Sequence, residues 1–359
     1  MPPFHALAAD ALRGPAGRAL TLAALCLALV TGCSRQARVE DLSGALYCAF
    51  AGKMNYYDLD KRQYVKTVAL VGPGTRIDSF DVSWDRKKIL LWSQRSYWDS
   101  DMRRLVVAPM SDDIGMSQLE KGKTLHDFMV ELEDISYTDG HLSPNEKYVV
   151  IDAQSFSDVP ITLINLKDKK IAASWSVPGV KFQEYGAPVW TLDNQIYFRI
   201  ATSLYRVGPA DGYRTAEKVL SFDKGINYLT VNPQGTKLVF RQKQHLWLAN
   251  LDGTDLRQIT TSKTDGAGKY VGERRPTFSP DGKYLAFTGR TQRGAAYSDH
   301  NYPDGSWVAG VGGEFGYVTV IPADGKLYDL DAKDSGAVWL QQSKEEPYGV
   351  PCDTGLIWR

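Results

Sequence analysis

The sequence lacks an excess of charge of either sign, because 42 lysines and arginines are balanced by 42 aspartates and glutamates. Proteins that bind nucleic acid or other polyanions usually carry a marked basic excess. We therefore expect no nucleic-acid partner. Helical periodicity is also nearly absent, which leaves β-strands as the main element of the fold.

Familiar catalytic signatures are missing as well. The sequence contains no G-x-S-x-G elbow, no H-E-x-x-H motif, no P-loop and no C-x-x-C pair. The glycine-rich stretch 310–316 lacks the sixth-position glycine of a dinucleotide loop and leads into an expected strand. A metal site needs several convergent ligands, and few histidines follow the N-terminal segment: His126, His141, His245 and His300. We expect no cofactor and no bound metal.

No apolar run reaches the roughly 20 residues that a membrane-spanning helix needs. The N-terminal run, residues 19–30, has about 12 residues, which is too short to span a bilayer. It follows Arg13 and Arg18, and it ends in the sequence Val-Thr-Gly-Cys at residues 30–33. This arrangement is typical of a secretory targeting segment rather than of a folded element.

Residues 30–33 resemble the lipobox of bacterial lipoproteins. The resemblance implies a signal peptide over residues 1–32, cleavage before Cys33 and fatty-acyl groups such as palmitate on that cysteine. An ordinary secretory signal with a chance cysteine is the alternative. The residue after the cysteine is Ser34 and not an aspartate. By resemblance to known lipoprotein sorting, this favours an anchor in the outer membrane, with the chain facing the periplasm.

The rest of the chain repeats a pattern of strand, turn and strand. The clearest copy is residues 275–288, in which Asp281-Gly282 is a strong turn signal between two apolar, β-rich runs. Weaker copies lie at residues 82–92, 142–150, 189–198 and 231–240. A second pattern, a short apolar strand that ends in a polar turn, recurs at residues 55–60, 104–109, 161–166, 203–207, 245–253 and 317–322. A spacing of roughly 40 to 70 residues is compatible with four-stranded propeller blades.

Residues 279–287, with the sequence Ser-Pro-Asp-Gly-Lys-Tyr-Leu-Ala-Phe, resemble the PD40, or WD40-like, repeat of TolB-type β-propellers. Residues 245–260 resemble it too. The resemblance is sharp over 225–290 and covers most of 45–340. It implies an all-β, six-bladed TolB-like propeller over residues 45–359, with residues 33–44 as a linker to the lipid. We expect a monomer.

One blade is short of strands in this assignment. The candidates to complete it are residues 45–50 near the N-terminus and residues 336–340 and 355–358 near the C-terminus. We expect the two termini to share this blade, because an open ring would leave sheet edges unpaired. Cys48 and Cys352 lie near the two ends, and an oxidising envelope allows a disulfide between them that would clamp the junction. Two separate buried thiols are the alternative.

Two loops combine aromatic residues with arginine, which is typical of protein-binding anchors. We assign them as a candidate binding rim, formed by Tyr97, Trp98, Arg290, Tyr297, His300, Tyr302 and Trp307. The long loop that holds most of these residues, 289–316, is of a length that is usually functional or disordered. The alternative is that these side chains pack over the propeller face.

These observations favour a non-catalytic scaffold that binds an envelope protein partner through the rim and the channel mouth. The TolB resemblance implies a role in envelope organisation. The alternative is a carbohydrate-active, lyase-type enzyme with a metal or His/Asp site in the channel, towards which His141 could face. A cluster of His, Asp and Glu at the channel mouth would favour the enzyme, and exposed aromatics without a buried titratable cluster would favour the scaffold.

Overall fold

The computed structural model describes residues 38–50, 53–68, 76–96, 99–110, 126–127, 137–153, 161–177, 180, 185–262, 272–289, 316–332, 334–342, 349–352 and 354–359. Nearly all regular structure in this part is β-strand, apart from the 3-10 helices Val39–Asp41 and Pro209–Asp211. Among the residues described, no helix is long and apolar enough to cross a membrane.

The strands form six antiparallel sheets, which we number as blades from the innermost strand outwards. Blade 1 contains β27 (Thr354–Trp358), β1 (Ala45–Phe50), β2 (Lys53–Asp58) and β3 (Gln63–Val68). Blade 2 contains β4 (Arg76–Val82), β5 (Lys88–Ser96), β6 (Asp99–Pro109) and β7 (His126–Asp127). Blade 3 contains β8 (Tyr137–Leu142), β9 (Tyr148–Ala153), β10 (Ile161–Asn165) and β11 (Lys170–Trp175).

The remaining blades follow in chain order. Blade 4 contains β12 (Tyr185–Trp190), β13 (Ile196–Ile200), β14 (Ser203–Val207) and β15 (Glu217–Ser221). Blade 5 contains β16 (Asn227–Val231), β17 (Lys237–Gln242), β18 (His245–Asn250) and β19 (Arg257–Gln258). Blade 6 contains β21 (Arg274–Phe278), β22 (Tyr284–Gly289), β23 (Gly316–Pro322), β25 (Val338–Trp339) and β26 (Pro351–Cys352). Outside the blades, β20 (Thr260–Thr261) pairs in parallel with β24 (Tyr328–Asp329).

The innermost strands of neighbouring blades contact one another around a complete ring, in the order β27, β4, β8, β12, β16, β21 and back to β27. This is the six-bladed β-propeller that the repeats predict. The five hairpin copies form the first two strands of blades 2 to 6, and the six shorter segments provide the third strand of every blade.

The two ends of the chain share blade 1, because β1 pairs with β27 in a register that sets Leu46 opposite Trp358. The prediction of a shared blade is confirmed. Of the two C-terminal candidates, only residues 355–358 enter this blade. Val338–Trp339 instead pairs with β23 in blade 6, where it covers the outer edge of that third strand together with β26.

Six hydrophobic clusters hold the ring together, one in each interface between neighbouring blades. Successive strand residues point to opposite faces, so Leu91 packs towards blade 1 and Leu90 towards blade 3. Both leucines are 1% exposed, and burying a leucine contributes about 1.5–3 kcal/mol. Because each blade is covered on both faces, its inner strands are continuous apolar runs rather than alternating ones.

One turn joins the first two strands of blade 6, and its geometry explains the repeat motif. Ser279 Oγ donates to Asp281 Oδ1 at 2.6 Å and accepts from Tyr284 N at 2.9 Å, while Gly282 has a φ of 72°. Three of the four weaker copies use the same left-handed position without glycine, at Arg86, Glu146 and Asn194, and the fourth has Gly235 there. The turn is therefore shared even where the Pro-Asp-Gly letters are lost.

Candidate functional site

All six innermost strands are irregular where they pair with their neighbours. Register shifts occur in β4, β8, β12, β16 and β21 and in the pairing of β1 with β27. Tyr228, Arg275 and Gly355 lie at three of these shifts with φ values of 51°, 50° and 46°, and all three line the central channel. A bulge re-aims side chains, and left-handed backbone at bulky residues is concentrated at functional sites.

The channel contains a cavity of about 670 Å³, within the size range of ligand sites. Residues of all six blades line it, either in the innermost strands or close to them. Its aromatic lining residues are Trp84, Tyr185, Trp190, Tyr228 and Phe278, and its charged ones are Asp152, Arg199, Arg241, Arg275 and Arg359, together with His141. His141 therefore faces the channel, as its sequence position suggested.

Three of these arginines come from consecutive blades, and we call Arg199, Arg241 and Arg275 the arginine arc. Arg199 and Arg241 occupy equivalent positions, each paired across to the last residue before the bulge of the inner strand, Gly186 or Asn227. Arg275 lies in the corresponding bulge of β21. Two blades therefore use the same position of the repeat, and all three arginines line the cavity.

Arg199 reaches the channel because Gly186 has no side chain. A Cβ atom on Gly186 would lie 2.9 Å from Arg199 Nε and 3.2 Å from Arg199 Cβ. The guanidinium crosses this gap and donates to the carbonyl oxygens of Tyr185 at 3.0 Å and Ala201 at 2.8 Å. These two carbonyl acceptors help to fix the position of the guanidinium group in the channel wall.

A second group of charges connects blades 1, 2 and 3, and we call Asp81, His141 and Arg359 the closing cluster. Arg359 Nη2 donates to Asp81 Oδ1 at 2.9 Å, and His141 Nδ1 lies 3.7 Å from Asp81 Oδ2. The backbone N–H of Leu142 donates to the same Oδ2 at 2.8 Å. Asp81 is fully buried, so its charge is balanced inside the protein and not by water.

The ionisation of Asp81 follows from these contacts. Burial alone raises the pKa of Asp81, but the Arg359 charge, His141 and the Leu142 N–H together outweigh it and hold the pKa below its ordinary value. Arg359 also donates to the Val82 carbonyl at 2.8 Å and covers the Trp84 ring at 4.3 Å. The last residue of the chain is thus fastened to blade 2.

A third polar cluster lies away from the channel lining, between blades 5 and 6. The buried Glu273 accepts from Thr260 Oγ1 and Ser262 Oγ, both at 2.9 Å, and contacts His245 Nδ1 at 3.1 Å. Ser262 contacts the carboxylate and not the imidazole, so this is not the order of a nucleophilic triad. His245 therefore fastens blade 5 to blade 6.

Most of the residues singled out from the sequence lie outside the described residues. This holds for Cys33 and for the whole candidate rim: Tyr97, Trp98, Arg290, Tyr297, His300, Tyr302 and Trp307. Their binding role stays a prediction. Among the residues that are described, no group of three or more His, Cys, Asp or Glu could hold a metal ion.

Cys48 and Cys352 are brought together in the interface between blades 6 and 1. They are 1% and 0% exposed. Both are thiols in this structure: Cys48 Sγ donates to the Pro351 carbonyl at 3.5 Å, and Cys352 Sγ donates to the Gly355 carbonyl at 3.4 Å. Their neighbourhood agrees with the expected clamp, and the bond itself stays a prediction.

No family model matches the sequence, and no curated protein matches it. Among solved structures, TolB from Acinetobacter baumannii aligns with a TM-score of 0.51 and 14% identity, over 89% of this chain and 69% of that chain. The chain has the fold of a TolB-like β-propeller. Hydrazine synthase from Kuenenia stuttgartiensis aligns with a TM-score of 0.44 and 13% identity, over 72% of this chain and 66% of that chain.

The sequence did not single out the arginine arc or the closing cluster. Each arginine of the arc occurs in an ordinary strand, and no local pattern distinguishes it from a solvent-facing residue. The useful signal would have been the repeat register, which sets Arg199 and Arg241 at the same position of successive blades. The closing cluster had no such signal, because Asp81 and Arg359 are 278 positions apart.

Proposed function

We propose that this chain is a lipid-anchored envelope scaffold that binds a protein partner through the channel mouth and the candidate rim. The observation that carries the proposal is the channel cavity of about 670 Å³, to which all six blades contribute. Its wall combines aromatic rings with arginines, the residue types that dominate the energy of protein-protein contacts. The TolB-like fold supports the proposal as an analogy of architecture.

The anchor is the part of the proposal that rests on sequence. The apolar run at 19–30 and the lipobox-like residues 30–33 support cleavage before Cys33 and acylation there. Several acyl chains on one residue give stable attachment to a membrane, whereas one chain alone does not. Residues 33–44 would then connect the propeller to the outer membrane on its periplasmic side.

An enzyme with its site in the channel is the second candidate, and the pair formed by Asp81 and His141 favours it. A buried carboxylate beside an imidazole is a common way to orient a general base. In this channel, however, both oxygens of Asp81 already accept hydrogen bonds, from Arg359 and from Leu142. The same contacts are fully explained by closure of the ring, so we rank the scaffold first.

Capture of the partner tests the proposal. Cells that express the full-length chain would be crosslinked in the envelope and the chain purified under denaturing conditions. We expect one defined protein to be recovered, and to be reduced several-fold by the variant Tyr97→Ala/Trp98→Ala. Leu256→Ala is the matched control, because Leu256 is 52% exposed and follows the third strand of blade 5, away from the channel lining.

Two outcomes would reverse the ranking. If no protein is captured while the purified chain degrades a pectin-like glycan, and His141→Ala abolishes that turnover, the enzyme is the correct reading. The anchor has its own test, since the variant Cys33→Ala should release the chain from membranes and remove the acyl mass from its N-terminal peptide. An unmodified Cys33 in membrane-bound protein would contradict the anchor.

A further inference from the structure

The turns that join the first two strands of blades 2 to 6 lie on one side of the ring, which we call the turn face. Because neighbouring strands of a blade are antiparallel, its third and fourth strands are joined at the same end. The segment after β23 begins there too, since Ala323 N donates to the Lys283 carbonyl at 2.8 Å. The contacts that connect neighbouring turns are Lys88–Glu146, Asn145–Asn194, Leu192–Pro233 and Gln234–Pro280.

Three large apolar side chains are exposed on the turn face. Leu192 lies in the turn of blade 4, Leu256 lies between β18 and β19, and Leu327 follows β23. They are 47%, 52% and 59% exposed, and the one other described residue of this kind is Ile171, on the outermost strand of blade 3. Exposed apolar residues on one side of a protein indicate a surface that contacts a membrane or another molecule. None occurs in the described connections at the opposite end of the sheets: 201–202, 222–226 and 243–244.

The two ends of the propeller chain meet at the turn face in blade 1. Ala45 N, at the start of β1, donates to the carbonyl oxygen of Arg359 at 2.7 Å. Arg359 Nε in turn donates to the Val82 carbonyl at 2.8 Å, directly before the turn of blade 2. β1 therefore begins at the turn face.

The segment before β1, residues 38–44, is held against the same end of blade 1. Leu42 is 5% exposed and packs in the cluster between blades 6 and 1. Gly44 N donates to Asp60 Oδ1 at 3.2 Å, and the Gly44 carbonyl accepts from Leu59 N at 3.0 Å. Leu59 and Asp60 directly follow β2, so this segment packs along the turn end of the blade.

The lipid anchor of the proposed function would hold this face close to a membrane. Cys33 precedes Arg38 by five positions, and five extended residues span at most about 18 Å. A strand of six residues, such as β1, is itself about 20 Å long. A tether this short, attached at the turn end, favours a propeller whose turn face is directed towards the lipid surface.

We propose that the turn face rests on the membrane surface, with Leu192, Leu256 and Leu327 inserted among the lipid headgroups. This inference rests on the lipid anchor of the proposed function, and it gives the scaffold an orientation. Stable attachment to a membrane takes more than one signal. The acyl groups at Cys33 would be one signal, and the exposed leucines of three blades would be the second.

This orientation is compatible with a partner at the candidate rim. The strands that flank the rim residues in the sequence end at Ser96 and Gly289. Both strand ends lie away from the turn face, because β5 and β22 begin at the turns of blades 2 and 6 and run towards the start of β4 and β21. The membrane and the partner would therefore use opposite ends of the propeller.

Photocrosslinking in proteoliposomes tests the proposal. The chain would be purified from membranes with its anchor and reconstituted in vesicles of phosphatidylethanolamine and phosphatidylglycerol. Leu256→p-benzoylphenylalanine puts the crosslinker on the turn face, and Lys224→p-benzoylphenylalanine puts it on an exposed residue of the opposite end. Mass spectrometry should find about tenfold more phospholipid adduct at position 256 than at position 224. Equal yields at the two positions would overturn the proposal.

The three leucines are tested together, with the crosslinker moved to Lys283 of the turn face, whose side chain is 75% exposed. Leu192→Gln/Leu256→Gln/Leu327→Gln should lower the phospholipid adduct at position 283 several-fold, because the tether alone lets the propeller tilt away from the bilayer. An unchanged yield would contradict the apolar contact.

A matched variant changes three exposed residues of the opposite end, Thr202→Gln/Lys224→Gln/Lys243→Gln. It should leave the adduct at position 283 unchanged. Substitutions of exposed side chains usually have little effect on folding, and thermal unfolding would check that both variants are as stable as the wild type. A similar fall in both variants would overturn the role of the leucines.

The mass of the Cys33 peptide, measured in the same samples, separates this inference from the proposed function. An acylated chain with equal adducts at both ends would keep the anchor and reject the orientation. A chain without acyl groups that still forms the adduct at position 256 would keep the apolar surface and reject the anchor. In cells, a protein adduct at position 256 in place of a lipid adduct would show that the turn face binds a protein, and would overturn the proposal.

Discussion

Arg359 and Arg241 both line the channel, but they differ in what surrounds them. Arg359 belongs to the closing cluster, where the buried carboxylate of Asp81 balances its charge and two hydrogen bonds, to Val82 and Asp81, fix blade 1 against blade 2. Arg241 belongs to the arginine arc, where it lies beside the Tyr228 ring and lines the cavity. The same residue type thus closes the ring on one side and forms part of the cavity wall on the other.

This difference separates stability from binding along one wall. A buried ion pair is sensitive to the loss of either partner, because the remaining charge has no water to solvate it. A residue that lines the cavity can contact a ligand bound there, so its substitution should change affinity for that ligand. Substitutions on the two sides should therefore have different effects, and four measurements follow from that expectation.

The largest effect is expected at the junction of blades 6 and 1. A bond between Cys48 and Cys352 would close a loop of about 300 residues, and its reduction should lower the free energy of unfolding by about 5 kcal/mol on the chain-entropy model. Mass spectrometry of non-reduced peptides should link the two segments. The variant Cys48→Ser/Cys352→Ser should be insensitive to reductant. Two unmodified thiols in protein extracted from the envelope would rule the clamp out.

The next largest effect is expected for Asp81→Asn. The substitution keeps the shape of the side chain but leaves the guanidinium of Arg359, 11% exposed, without its counter-charge. Breaking a buried pair costs about 3–5 kcal/mol, which denaturant titration would measure. Arg206→Gln is the control, because its pair with Glu217 is exposed to solvent, and it should cost less than about 1 kcal/mol. Equal losses in the two variants would show that burial of the pair between Asp81 and Arg359 adds nothing to stability.

Acid should lower the stability of the protein through Asp81 of the closing cluster. The pKa of Asp81 is lowered in the folded protein, so the unfolded chain, with an ordinary value of about 3.9, binds its proton first as the pH falls. The stability that Asp81 contributes is complete near neutral pH and declines below about pH 5, until the folded group is protonated. Unfolding curves from pH 7 to pH 3 should be shallower for Asp81→Asn than for the wild type. A slope that does not change would show that Asp81 is not involved.

The smallest change in stability is expected at the turns that join the first two strands of blades 6 and 2. Gly282 is left-handed, with a φ of 72°, so Gly282→Ala should cost about 1–2 kcal/mol. Arg86 has a φ of 60° at the equivalent turn of blade 2, and Arg86→Gly should gain up to about 1 kcal/mol by relieving the same strain. Thermal unfolding of the two variants checks both signs. Two shifts of the same sign would contradict the shared turn.

The ring could be predicted from sequence because its determinants are local. The turn around Ser279, Asp281 and Gly282 is encoded within a few residues, and weaker copies keep the polar contacts even where glycine is replaced. Ring closure could be predicted as well, since the termini held the strands that one blade lacked. Residues 336–340 are a candidate for the shared blade from sequence, but Val338–Trp339 pairs with β23 of blade 6, because an apolar strand of that length fits either sheet edge.

The channel wall could not be predicted in the same way, because its chemistry depends on contacts between distant residues. Arg199 lines the cavity only because Gly186 leaves room beside it. Arg275 lies in a bulge of β21, and no local sequence pattern predicts that bulge. The candidate rim is the reverse case. Its aromatic and arginine residues single it out in the sequence, but they lie outside the described part of the chain. The position of His141 in the channel could be predicted from the sequence, whereas its contact with Asp81 could not.

A photo-reactive residue inside the channel tests most directly whether this wall binds a partner. Tyr228→p-benzoylphenylalanine puts the crosslinker beside the arginine arc, and Ile171→p-benzoylphenylalanine puts it on the outermost strand of blade 3, where Ile171 is 52% exposed. In cells, position 228 should crosslink to a protein, and position 171 should give no crosslinked product. Crosslinking at 171 with none at 228 would contradict a partner in the channel.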